Sequence, residues 1–234
     1  MQVMSLRTCV AILTLALAGC APAASSEQTP DTLTEPLETV EDFDSFFEVR
    51  EIDDVIFERI KGKSYKEGCA VPLRELRYLT IVHYDLDGNV RKGEIICNET
   101  IADDLIDIFR TLFAARYPIE SVRLIDDFDA DDVKSMQANN TSCFNFRAVA
   151  GTDRLSKHAR GMAIDINPLY NPWVKVKGGK TSVSPEEGRP YADRRRDFPC
   201  KIDREDLCYK EFVRHGFQWG GSWKSLKDYQ HFEK

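Results

Sequence analysis

The chain has no long apolar run. In its 234 residues the only sustained apolar stretch, Cys9 to Ala18, is interrupted by Thr14 and is too short for an ordinary transmembrane span of about 20 residues. Positive charge is not in excess either: 32 Lys and Arg stand against 39 Asp and Glu, a net charge of −7. Phosphate binding needs a basic surface, so this balance argues against a nucleic-acid partner. Internal repeats are absent, and so is any Cys-x-x-Cys spacing, which argues against a zinc site built on thiolates. Asp85-Leu86-Asp87-Gly88-Asn89 begins like a calcium loop, but Ile96 holds the position where an EF-hand needs its glutamate. Histidine is scarce, at four residues, so each one can be accounted for.

What is present begins with a targeting pattern. Arg7 supplies a short basic region, and Leu17-Ala18-Gly19-Cys20 resembles a bacterial lipoprotein box. The expectation is a signal peptide over 1–19, cleaved before Cys20, with lipid on the Cys20 thiol and the new amine. The alternative is an ordinary secretory signal cleaved at Ala21-Pro22-Ala23. Residues 20–45 are rich in Ser, Thr, Pro and acids and read as a flexible tether, with a reach of about 25–30 Å. Residues 46–234 suffice for one well-buried domain. The whole is expected to act as a monomer outside the cytoplasm, lipid-anchored to a bacterial membrane. In that oxidising setting disulfides form. Spacing suggests Cys200 with Cys208 across a short loop and Cys69 with Cys97 at the ends of one hairpin, leaving Cys143 free.

Within the domain, Tyr78–Tyr84 and Val90–Cys97 are β-rich runs around Asp87-Gly88, a hairpin signal. Thr100 to Arg116 is expected as a helix capped by Thr100, its apolar face formed by Ile101, Leu105, Ile108, Phe109 and Leu112. Ser121–Ile125, Phe144–Val149 and Met162–Ile166 read as strands, and Asp126–Ser142 as a polar loop. Residues 171–199 form a long charged loop of the kind that serves as a rim or lid. There Arg194-Arg195-Arg196 is either a carboxylate attractor or a solvated face. Glu205–His215 reads as a helix ending at Gly216. His215 then sits in the cationic last turn, and His83 lies within a strand.

Two histidines remain without a local explanation, His158 and His231. Asp165 follows His158 after a turn at Gly161, and Asp228 precedes His231 by three residues. Two imidazoles and one carboxylate leave a four-coordinate zinc one open position, where water becomes a nucleophile. His158, Asp165 and His231 are therefore the candidate metal ligands and Asp228 the candidate general base, with Glu233 its rival. Arg147 is a candidate for stabilising an oxyanion or binding substrate, weighed against a surface ion pair. Ser156 either meets substrate or orients the His158 turn. Trp219, Trp223, Tyr229 and Phe232 either wall a peptide groove or pack the core.

Ser-x-His-x-x-Gly-x-Ala-x-Asp at 156–165 with Asp-x-x-His at 228–231 resembles the zinc D-alanyl-D-alanine carboxypeptidase family (VanY-like), which includes L-alanyl-D-glutamate endopeptidases. Asn139-Asn140-Thr141, Phe144-Asn145-Phe146-Arg147, Asp165-Ile166-Asn167-Pro168 and Trp219-Gly220-Gly221 extend the similarity over most of 75–234. The resemblance implies an α+β fold, a single compact domain with a central antiparallel sheet flanked by helices, of the DD-peptidase/hedgehog-like kind. It also implies Zn2+ on His158, Asp165 and His231, Asp228 as base, Arg147 near the substrate, and peptidoglycan stem peptides as substrate. Cys143 stands where the family pattern suggests a small residue. A non-catalytic wall-binding lipoprotein on the same fold is the contrasting reading, and a ferrous oxygenase is a third; the usual oxygenase spacing is absent.

Overall fold

A computed structural model describes residues 43–149 and 151–234. The signal peptide, Cys20 and nearly all of the expected tether lie outside these residues. Phe43, Asp44 and Ser45 are the exceptions: Phe43 is buried and packs its ring edge on Phe113 at 4.9 Å, so the packed domain already includes residues ahead of 46.

In chain order the elements are β1 (Glu48–Glu51), α1 (Asp54–Ile60), β2 (Leu76–Tyr84), β3 (Val90–Asn98), α2 (Glu99–Ala114), β4 (Ser121–Val122), α3 (Asp132–Gln137), β5 (Asn140–Thr141), β6 (Ala163–Asp165), β7 (Trp173–Lys177), β8 (Lys180–Ser184), α4 (Leu207–Arg214), β9 (Gln218–Trp219), β10 (Lys227–Asp228) and β11 (His231–Glu233). The class is α+β. The antiparallel strands are divided among three small sheets, ordered β1-β2-β3, β10-β7-β8 and β6-β11-β9, with β4 and β5 a short parallel pair. Among the described residues no helix is long and apolar enough to cross a membrane.

The β2–β3 hairpin divides the interior. Leu79, Ile81, Ile95 and Cys97 face a large core shared with α2, α4 and the strands β6 and β11. Leu76, Tyr78 and Ile96 face a smaller cluster with Ile56, Ile60 and Phe144. The five apolar positions expected on α2 are each at most 1 % exposed, and burying side chains of this size contributes about 1.5–3 kcal/mol apiece. Its cap is Asn98, not Thr100: the Asn98 side chain accepts the Thr100 N–H at 3.0 Å. Starting the helix at the last residue of β3 lets one side chain end the strand and open the helix.

Other expectations change with the packing. Residues 143–147 form no strand, because their N–H groups go to three separate segments: Phe144 to the Ile96 carbonyl, Asn145 to the His158 carbonyl and Phe146 to the Ser64 carbonyl. The polar segment 126–142 contains α3 and β5, and the long loop 171–199 contains the β7–β8 hairpin. All five described cysteines are free, which overturns both expected disulfides. Cys97 faces the large core while Cys69 packs at the smaller one, so the hairpin sheet separates them. Cys208 is fully buried on α4, and the Cys200 thiol is turned to the Pro118 carbonyl at 3.9 Å.

Candidate metal centre

Two neighbouring strands carry the centre. β11 lies antiparallel to β6 with His231 directly opposite Asp165 and Glu233 opposite Ala163. Opposed residues project to the same face, so this register alone brings an imidazole beside a carboxylate. The intervening pair, Phe232 and Ile164, points the other way and is fully buried, with Phe232 stacked on Phe212 at 4.3 Å. The core thus fixes the register that the site needs. His158 arrives from the turn before β6, in a short 3-10 helix ending at Gly161 with φ 65°. A Cβ on Gly161 would lie 2.6 Å from the Asn98 nitrogen, whose N–H donates to the Gly161 carbonyl at 2.9 Å. Only glycine tolerates both the positive φ and that approach.

The three side chains converge. His158 Nε2 is 3.2 Å from His231 Nδ1 and 3.3 Å from Asp165 Oδ2, and His231 Nδ1 is 3.0 Å from Asp165 Oδ1. A tetrahedral ion with bonds of about 2.0–2.1 Å has ligand atoms about 3.3 Å apart. The donor set therefore fits such an ion in spacing as well as in chemistry, and one ligand atom from each of the three residues lies within 4.8 Å of the others. The far side of each ring is held. His158 Nδ1 meets the Cys143 carbonyl at 2.6 Å and His231 Nε2 meets Glu233 Oε2 at 3.1 Å. Both partners are acceptors, so each far nitrogen directs its proton outward and the inner nitrogen is the one that faces an ion.

The electrostatics favour a cation. Burial acts to raise the Asp165 pKa, but charge and hydrogen bonding from His158 and His231 hold it well below the usual carboxylate range. Burial pulls His231 down, yet hydrogen bonds to Asp165 and Glu233 and the field of Asp165 and Asp228 raise it to about 10. Without an ion the centre thus draws in a proton. Asp228 is half-buried, and its Oδ1 is wholly enclosed with no hydrogen-bond partner. Burial and the Asp165 charge push its pKa up to about 7, against smaller downward effects of the two histidines and a Gln230 hydrogen bond. Gly220 lets Asp228 and His231 close in: a Cβ there would lie 2.7 Å from the Asp228 carbonyl oxygen and 3.3 Å from His231 Cβ.

The remaining sequence candidates separate clearly. Glu233 shares the site face but holds His231. Ser156 is buried, and its hydroxyl accepts the His158 N–H at 3.2 Å, the orienting role. Arg147 is ion-paired with Asp132, and its backbone carbonyl accepts the Ser156 N–H at 3.1 Å. It is placed one strand-width from the His158 turn, with its charge directed to Asp132. Trp219 and Phe232 are core residues, whereas the half-buried Trp223 ring lies 5.2 Å from His231. Arg194 is no carboxylate attractor: it donates to the Tyr170 and Ile202 carbonyls and to Asn171 Oδ1, and lies 4.4 Å over the Tyr229 ring. His83 bonds the Ile119 carbonyl at 2.8 Å, and His215 pairs with Asp104 at 3.0 Å, so neither joins the centre. Sequence reasoning missed the Cys143 carbonyl and the Gln230 contact, which no residue pattern announces. Gly220 stood in the Trp219-Gly220-Gly221 match but had no assigned task.

In this α+β protein, two imidazoles and one carboxylate converge beside an enclosed acid, a donor set that fits a divalent metal ion. The comparison with protein families narrows this. Residues 150–234 match the model of the family described as D-alanyl-D-alanine carboxypeptidase. The resemblance carried by the two motifs therefore stands over this part of the chain, and the match supports, in general terms, a peptidase that acts on peptidoglycan. The match spans all four core candidates and stops short of Arg147. No curated protein and no solved structure matches the chain.

Proposed function

We propose that the protein is a zinc-dependent D-alanyl-D-alanine carboxypeptidase that trims peptidoglycan stem peptides from a lipid-anchored position outside the cytoplasm. The observation that carries the reading is the meeting of His158 Nε2, Asp165 and His231 Nδ1 at spacings of 3.0–3.3 Å beside the enclosed Asp228 Oδ1.

His158, Asp165 and His231 would hold the zinc, which when bound supplies a Lewis acid that activates water and polarises the scissile carbonyl. Asp228 takes the proton of the attacking water. Its partnerless oxygen is free to receive it, and the same group then passes that proton to the leaving amine. Glu233 and the Cys143 carbonyl keep the two imidazoles aimed. Trp223 and the walls around His231 limit water. An L-alanyl-D-glutamate endopeptidase would use the same centre. The distinction lies in how the groove closes around the substrate terminus, where the β7–β8 hairpin and the rest of 171–199 form the rim.

The test is digestion of defined muropeptides by residues 21–234 with zinc, read by mass spectrometry. Loss of a single terminal D-alanine supports the carboxypeptidase. Cleavage between L-alanine and D-glutamate moves the assignment to the endopeptidase, and no cleavage by zinc-loaded protein overturns both.

A further inference from the structure

The sheet that carries Asp228 extends into a basic ribbon. β10 pairs with β7 so that Asp228 is directly opposite Trp173. β7 pairs with β8 so that Trp173 faces Ser184, Lys175 faces Ser182 and Lys177 faces Lys180. Opposed residues share a face and so do residues two apart on a strand. Asp228, Trp173, Lys175, Lys177, Lys180 and Ser182 therefore line one face of one sheet. Beyond half-buried Trp173 the track is exposed. None of its three lysines has an ion-pair partner among the described residues. Lys177 and Lys180 are also a like-charged cross-strand pair, an arrangement that costs stability, on a chain of net charge −7.

The spacing is that of an extended peptide. At about 3.3 Å per residue, Lys175 lies about 7 Å and Lys177 about 13 Å along the strand from the position opposite Asp228. Both edges of β7 are paired, with β10 and β8, so a substrate strand would lie across this face in line with β7, advancing at the same rise. We propose that this face is a substrate track selecting an acidic peptide, whose carboxylates two and four residues on the acyl side of the scissile bond meet Lys175 and the Lys177–Lys180 pair. The inference rests on the peptidase reading and adds the substrate class to it.

The test uses the zinc-loaded chain and two peptides ending in D-Ala-D-Ala, one with glutamates two and four residues before the scissile bond and one with glutamines there. The wild type is expected to favour the acidic peptide about tenfold in kcat/KM at low salt, through KM, with the preference shrinking in about 0.5 M sodium chloride. The Lys175→Glu/Lys177→Glu/Lys180→Glu variant should lose or invert that ratio while its zinc content and Tm stay those of a folded protein; Lys177→Glu alone gives a second, milder variant. An unselective wild type, or a preference that survives in the triple variant, overturns the proposal. If neither peptide is cleaved, the peptidase reading fails by itself. Fluorescence anisotropy with labelled forms of the same peptides then decides the track by the same ratio.

Discussion

Replacing Asp228 with asparagine keeps the side chain's volume and removes its charge. In the metal-free chain, burial and Asp165 raise its pKa from 3.8 to about 7. Between these values the native state holds a proton that the unfolded chain has released, so stability falls as pH rises through that window. Three pKa units correspond to about 4 kcal/mol. Metal-free Asp228→Asn should therefore gain on the parent between about pH 4 and pH 8, with the stability gap widening by about 3–4 kcal/mol. For a chain of this length that is a Tm difference growing by about 6–15 °C. Urea or thermal unfolding of both proteins in chelator, at the two pH values, measures it. A gap that does not change with pH refutes the claim that a buried, charge-opposed carboxylate sits at this position. The same variant reloaded with zinc should keep its metal and lose about 10²–10⁴ in turnover. Metal kept with full turnover would move the base to Glu233.

Glu233→Gln should weaken zinc binding about 10- to 100-fold, because its carboxylate aims His231; competition with a chromophoric chelator measures this, and an unchanged affinity would remove Glu233 from the centre. Gly220→Ala should cost about 1–3 kcal/mol of stability and lower zinc content, since the new methyl collides with Asp228; a fully loaded variant of parental Tm contradicts the close approach. Zinc must displace the proton that His231, raised to about 10, holds in the metal-free chain. Binding should therefore release a proton and weaken as pH falls, which calorimetry in two buffers of different ionisation enthalpy would detect; absence of release rejects this reading of His231. Arg194→Gln should loosen the 171–203 segment, raising amide exchange there first, with KM rising before kcat falls; exchange confined to the substituted residue would show that Arg194 does not pin it.

The centre was legible because its parts are rare. With four histidines in the chain, assigning His215 to a helix end and His83 to a strand left two, and the strand alternation of Met162–Ile166 already put Ala163 and Asp165 on one side. The α2 face was legible for the same kind of reason: sixteen residues of regular spacing average out local exceptions. What failed were features decided by opposite faces. Cys69 and Cys97 look like hairpin partners along the chain, but a one-residue step on β3 sends Ile96 and Cys97 into different cores. Arg194 looked solvated because it lies in a run of three arginines, yet backbone carbonyls from distant segments satisfy it.

The same logic explains why the site tolerates so little regular structure around it. β6 and β11 have three residues each, too few to hold a register by ladder hydrogen bonds alone. Their alignment is set instead by Phe232 and Ile164, which are 0 % exposed. A slip of one residue would exchange the core face for the metal face, placing His231 in hydrocarbon and Phe232 at the centre. The penalty is large because both errors occur together: an apolar ring leaves the core and a polar ring enters it without partners. A conservative truncation such as Phe232→Leu should therefore lower zinc affinity along with stability, although the residue points away from the ion. If Phe232→Leu lost about 1–3 kcal/mol of stability with zinc affinity unchanged, the register would have to be held by something other than the core.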